Sequence, residues 1–215
     1  MRNDIIKTIR EKKIIAIVRG VYGAACEQLA AALHEGGIGL IEVTFDQSRP
    51  EAWEQTAQSI AALARRFEGR MHVGAGTVTR PEMLRLAQEA GAQFVISPNT
   101  DEMIIRGTKQ AGLVSIPGAM TPSEIFDAYR YGADFVKVFP ASSLGPAYLK
   151  AVRGPLNNIP LLAVGGIDET NLRAYLDAGA AGAGVGGKLV NKDWIAAGAF
   201  DKITALAREY TRQLQ

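Results

Sequence analysis

Cysteine is almost missing from this sequence, with Cys26 the sole thiol. An intrachain disulfide is therefore impossible, and a metal or iron–sulfur cluster built on cysteines is not expected. Histidine is nearly as scarce. His34 falls in a helical segment and His72 opens a strand, neither with a second histidine or a carboxylate at ligand spacing, so no metal site and no cofactor are predicted. Charge of one sign is lacking too: 24 Lys+Arg against 22 Asp+Glu leave a formal charge of +2, and the basic residues are scattered rather than blocked. That balance does not favour a nucleic-acid partner. Long apolar runs are also absent, every hydrophobic stretch breaking off within about ten positions where a membrane crossing needs about eighteen or more. The opening MRNDIIKTIREKK alternates charges with isoleucines and has neither the apolar core nor the cleavage site of a signal peptide. It reads as a short surface helix on a soluble chain whose default location is the cytoplasm.

What is present is apolar content, 47% over 215 residues, enough to exclude disorder and to favour one domain spanning 1–215. Short β-branched or apolar runs recur: Ile14 to Val18, Ile38 to Thr44, Met71 to Ala75, Phe94 to Ser97, Leu113 to Ile116, Asp134 to Phe139, Leu161 to Val164 and Ala181 to Val185. Segments with helical spacing separate them, among them 51–67 and 81–90. Thr79-Arg80-Pro81-Glu82 and Thr121-Pro122-Ser123-Glu124 each offer a helix start, and Gly36, Gly91, Gly112, Gly132 and Gly179 each offer a stop. Nearly continuous apolar strands joined by helical crossovers imply a parallel sheet, and eight such units fit a closed (β/α)8 TIM barrel of the α/β class. The rival is an open doubly wound sheet, supported only by Gly182-Ala-Gly-Val-Gly-Gly187, which matches the dinucleotide fingerprint but follows the last strand instead of the first.

In a barrel, ionisable groups near strand ends carry the most information. Arg19 closes Ile-Ala-Ile-Val-Arg, Glu42 sits in Leu-Ile-Glu-Val-Thr-Phe and Lys137 in Phe-Val-Lys-Val-Phe-Pro, each the lone strong charge among apolar neighbours. Such groups are seldom buried unless paired, so the first, second and sixth runs are expected to direct them into one interior site. A structural ion network is the bland alternative. The chemical reading is that an apolar wall lowers the lysine pKa and frees an amine that attacks a keto acid, forming an imine able to accept electrons as a carbon–carbon bond breaks. Glu42 would then shuttle protons.

Glycine pairs after the last two strands, Gly165-Gly166 and Gly186-Gly187, suit phosphate binding by backbone N–H groups and a helix start, although tight turns alone would also call for glycine. Arg19 would add a cation or orient the glutamate. Thr77, in Gly-Ala-Gly-Thr-Val-Thr, offers a hydroxyl suited to a carboxylate, and Pro98, Phe139 and Val164 are the remaining candidates for the substrate wall.

Taken together, Ile-Ile-Ala-Ile-Val-Arg-Gly, Ile-Glu-Val-Thr, Gly-Ala-Gly-Thr-Val, Ile-Ser-Pro-Asn, Ile-Pro-Gly, Phe-Val-Lys-Val-Phe-Pro-Ala and Ala-Val-Gly-Gly-Ile resemble the 2-keto-3-deoxy-6-phosphogluconate (KDPG) and 4-hydroxy-2-oxoglutarate (KHG) aldolase family over nearly the whole chain. The resemblance implies a metal-independent class I aldolase, usually a homotrimer, with Lys137 as Schiff-base residue and Glu42 as acid/base. It also implies that Thr77 meets the pyruvate carboxylate while Arg19, Gly165, Gly166, Gly186 and Gly187 surround the phosphate. The implied products are pyruvate and glyceraldehyde 3-phosphate, with glyoxylate from hydroxyoxoglutarate as a second activity. Three departures bear on substrate choice: Asp46 where gluconate-type members carry arginine, Lys188 where serine commonly follows the last glycine, and Val164 where threonine is usual and where the chain is more similar to 2-keto-3-deoxy-6-phosphogalactonate aldolases. Two rivals stay open at this stage: a sugar-phosphate isomerase or epimerase working without an imine, and a catalytically silent phosphate-binding scaffold.

Overall fold

The alternation of apolar runs and amphipathic segments folds, in a computed structural model describing residues 2–214, into a ring of parallel strands sheathed by helices. The strands are β1 (Ile14–Val18), β2 (Leu40–Thr44), β3 (His72–Gly76), β4 (Phe94–Ile96), β5 (Val114–Ile116), β6 (Gly118–Ala119), β7 (Val136–Val138), β8 (Leu161–Val164) and β9 (Gly182–Val185). Their order is β5-β4-β3-β2-β1-β9-β8-β7-β6. The eight expected strands become nine because the fifth is interrupted at Pro117, which cannot donate to a ladder. The ring closes across that break. Ser115 O accepts from Asp134 N at 2.9 Å and Pro117 O from Lys137 N at 2.8 Å, while Gly118 registers with Lys137.

Helices α1 (Arg2–Lys12), α2 (Gly23–Glu35), α3 (Trp53–Arg66), α4 (Pro81–Glu89), α5 (Glu102–Gln110), α6 (Pro122–Arg130), α7 (Ala141–Arg153), α8 (Leu172–Asp177), α9 (Lys192–Ala196) and α10 (Phe200–Arg212) complete the plan. Two cores result. Outward-facing strand residues such as Ile41, Val43, Val73 and Ala163 pack against the helices. Inward-facing ones, Ile15, Leu40, Phe94, Ile96, Val114, Ile116, Phe135, Leu162 and Val164, fill the barrel.

The N-terminal segment is more than a surface helix. Ile5 and Ile9, one turn apart on α1, are fully buried against the barrel's inner core, and Arg2 pairs with Asp134 at 2.6 Å. The helix plugs the end of the barrel from which the strands start, leaving the opposite end for a ligand.

Helix boundaries follow competition for hydrogen bonds. Thr121 and Glu124 form a complete capping box at α6, with Pro122 in the first turn. The matching expectation at α4 fails: its N-cap is Arg80, with no side-chain cap, because the Thr79 hydroxyl donates to Gln47 Oε1 at 2.7 Å. Gly91, Gly112, Gly132 and Gly179 adopt the positive φ of helix stops. At the end of α2 that conformation belongs to Gly37. Gly36 is needed for a different reason, since a Cβ there would lie 2.3 Å from Ala207 Cβ on α10.

Candidate active site

Strand alternation sets which side chains meet inside the barrel. On β2, Leu40, Glu42 and Thr44 face inward; on β7 and its flanks, Phe135, Lys137 and Phe139 do so. Glu42 is 2% exposed and Lys137 8%. They are not an ion pair, since no Lys137–Glu42 contact lies within 4.0 Å, and Glu42 Oε2 has no hydrogen-bond partner. The glutamate fits only because its neighbour on β3 is a glycine: a Cβ at Gly76 would lie 1.8 Å from Glu42 Oε1.

Burial dominates the electrostatics. It pushes the Glu42 carboxyl up to about 7, against the opposing pull of Lys137 and Arg19. It also pushes the Lys137 ammonium below the usual lysine range, opposed by the Glu42 charge and reinforced by Arg19. In both groups burial favours the neutral form. The Lys137 Nζ lies 4.7 Å from the Phe139 ring centroid, a contact that favours a cation over the ring face and offsets part of the desolvation.

Above these groups opens a cavity of about 740 Å³. The residues read from the sequence as catalytic, substrate-binding or phosphate-binding all line it: Arg19, Glu42, Thr77, Pro98, Lys137, Phe139, Val164, Gly165, Gly166, Gly186 and Gly187. One expectation is corrected. Arg19 is not an interior strand residue, because β1 ends at Val18 and Arg19 stands exposed on the rim. Thr77 holds φ +57, an uncommon conformation for a β-branched residue. Its carbonyl accepts from Gln47 Nε2 at 2.7 Å, so the loops after β2 and β3 brace each other.

The two glycine pairs differ in kind. Gly165 and Gly166 have φ of +95 and +72, and a Cβ on Gly166 would lie 2.4 Å from Ser142, so turn geometry and packing suffice to explain them. Gly186 and Gly187 do not have positive φ, and a Cβ on Gly187 would meet nothing within 4 Å. No strain requires glycine there; what its absence of side chain provides is an open cavity wall. After β8 the next helix, α8, is six residues long and begins only at Leu172, whereas after β9 the short helix α9 begins at Lys192 on the cavity wall.

Lys188, the departure after the last glycine, turns to Asp168 Oδ2 at 2.9 Å and Glu169 Oε1 at 3.4 Å. Those contacts raise the Lys188 pKa, while Thr170 and Lys188 hold Asp168 down to about 2. Tyr210 on α10 donates to Glu169 at 3.2 Å, tying the two loops to the last helix. Asp46 is not among the cavity-lining residues, and its carboxylate accepts from Ser48 N at 2.9 Å and Ser48 Oγ at 2.6 Å. Sequence reasoning missed Ile17, Asp168 and Lys192, which also line the cavity. Lys192 forms no ion pair with a described residue.

A buried amine and a buried carboxyl at the open end of a barrel, facing glycine-lined loops, define a class: an α/β-barrel lyase equipped for a carbonyl substrate. The family model for the aldolases described as KDPG and KHG aldolase matches residues 5–206, and the chain belongs to that family. It is similar to the 2-dehydro-3-deoxy-6-phosphogalactonate aldolase of Escherichia coli K12, 32% identical over 94% of this chain and 96% of the relative. It is 37% identical to the KHG/KDPG aldolase of the same organism over 84% of this chain and 82% of the relative. Among solved structures it resembles a KDPG aldolase from Legionella pneumophila with pyruvate captured at low pH as a covalent carbinolamine intermediate. That match has a TM-score of 0.84 at 27% identity and covers 94% of this chain and 96% of the other.

Proposed function

We propose that the protein cleaves a 2-keto-3-deoxy-6-phospho sugar acid to pyruvate and glyceraldehyde 3-phosphate through an imine on Lys137. The observation that carries this reading is the shared burial of Lys137 and Glu42 beside the glycine-walled cavity. The free amine attacks the C2 ketone, and loss of water from the carbinolamine gives a protonated imine. Glu42, as carboxylate, takes the proton of the C4 hydroxyl; the C3–C4 bond breaks, its electrons pass into the imine, and the aldehyde departs. The resulting enamine takes a proton at C3, and water then releases pyruvate and restores the lysine. Thr77 donates to the pyruvate carboxylate. Pro98, Phe139 and Val164 wall the carbon chain, and Gly165, Gly166, Gly186 and Gly187 receive the phosphate. With Lys188 neutralised by Asp168 and Glu169, the cations left for that phosphate are Lys192 and Arg19.

The working form is a homotrimer. Phe126 and Tyr129, on one face of α6, are 51% and 41% exposed, and Met120 just before that helix and Met103 on α5 are exposed as well. Large apolar side chains left out in this number mark a contact surface.

The test follows pyruvate release from the 6-phosphogluconate-derived acid, its galactonate epimer and hydroxyoxoglutarate, comparing kcat/KM. Turnover of at least one phosphorylated acid, faster than of hydroxyoxoglutarate, is expected. No pyruvate from any of the three would overturn the reading.

A further inference from the structure

Among the described residues, two buried polar side-chain atoms have no hydrogen-bond partner: Glu42 Oε2 and Thr44 Oγ1. They belong to alternate residues of β2 and so share the inward face. A further observation brings them closer. Thr44 registers with Gly76 on β3, and the Glu42 carboxylate lies in the space that a Gly76 side chain would occupy. Neighbouring strands are about 4.8 Å apart, so the carboxylate sits beside the Thr44 side chain. It is nonetheless beyond direct bonding, since no Thr44–Glu42 hydrogen bond within 3.5 Å exists.

We propose that Thr44 is a positioning residue for proton transfer, its hydroxyl and Glu42 Oε2 gripping one water molecule between them. The inference rests on Glu42 being the acid/base of the reaction proposed above. A buried hydroxyl without a partner costs about 1–3 kcal/mol, and valine would fill the same space without that cost. Nothing in the packing of β2 calls for a hydroxyl at position 44. A carboxylate that must carry charge in a dry interior does call for a donor, and a water held by two polar groups supplies it. The other charges acting on Glu42 are Lys137 on β7 and Arg19 beyond β1, neither of them in direct contact; β3 faces it with Gly74 and Gly76, and the titratable side chain of that strand, His72, lies at the plugged end beside Thr8 of α1.

The experiment compares Thr44→Val and Thr44→Ser with the parent in pyruvate release from the phosphorylated acid, across pH, alongside thermal unfolding. In Thr44→Val, kcat is expected to fall roughly tenfold with KM little changed. Its acidic limb should move to higher pH, because losing a donor disfavours the ionised carboxylate. Thr44→Ser should recover most of kcat, and the valine variant should melt no lower than the parent. A purely structural threonine would instead lower the melting temperature and leave the pH profile in place. Parent-like kcat and pH profile in Thr44→Val would overturn the role of Thr44 alone; a parent that releases no pyruvate would overturn the underlying reading and this inference with it. Should the valine variant not fold, Thr44→Ala read against Thr44→Ser makes the same comparison.

Discussion

Lys137 and Glu42 are uncomfortable residues, and their discomfort is measurable. An acid whose folded pKa is raised from 4.5 to about 7 binds more protons folded than unfolded between those values, so its contribution to stability declines as pH rises through that window. At 1.4 kcal/mol per unit the loss is about 3 kcal/mol by pH 8. Urea unfolding at pH 5 and pH 8 should therefore show Glu42→Gln gaining stability on the parent at the higher pH, while its kcat is lower by about 10²–10⁴. Gly76 is the counterpart. Gly76→Ala would place its Cβ inside the glutamate and force the carboxyl out of its slot against β3 toward the cavity. The expected outcome is a loss of about 1–3 kcal/mol in stability and a kcat nearly as low as that of Glu42→Gln. These two charges were legible in the sequence because an ionisable group inside an apolar run is conspicuous. Thr44 and Gly76 were not, because threonine and glycine at a strand position carry no signal until register is known.

At the scale of elements, helix and strand were easier to read than the loops that terminate them. Thr79 shows why: its hydroxyl could cap α4 or meet Gln47, and only the folded neighbour decides. The split of the fifth strand at Pro117 hid a two-residue segment, and the burial of Ile5 and Ile9 hid in a helix rich in charge. Ile17 faces the cavity from a run too uniformly apolar to reveal which residues point inward. The loops after β8 and β9 carry the phosphate prediction. Lys192, an ordinary lysine in a polar stretch, gave no warning, yet it is the cation there without a counter-ion among the described residues. In Lys192→Ala the KM for a phosphorylated acid should rise roughly tenfold or more, with kcat and the handling of unphosphorylated hydroxyoxoglutarate little changed. Kinetics on the two substrates check it; an equal effect on both would refute a phosphate role.

For the whole molecule, the barrel follows from repetition: eight apolar runs alternating with helical segments admit few closed arrangements, and the ring needed only the Pro117 break to be located. Assembly is less legible, because exposed Phe126 and Tyr129 look in sequence like the buried face of an amphipathic helix. Light scattering on the purified protein should give three times the 23.0 kDa chain mass, and Phe126→Asp should reduce it. The chemistry comes down to a single covalent bond between Lys137 and a keto acid. Incubation with pyruvate and borohydride, followed by peptide mass mapping, should locate a reduced pyruvyl adduct on Lys137 together with loss of activity. An active preparation with that peptide unmodified would contradict it.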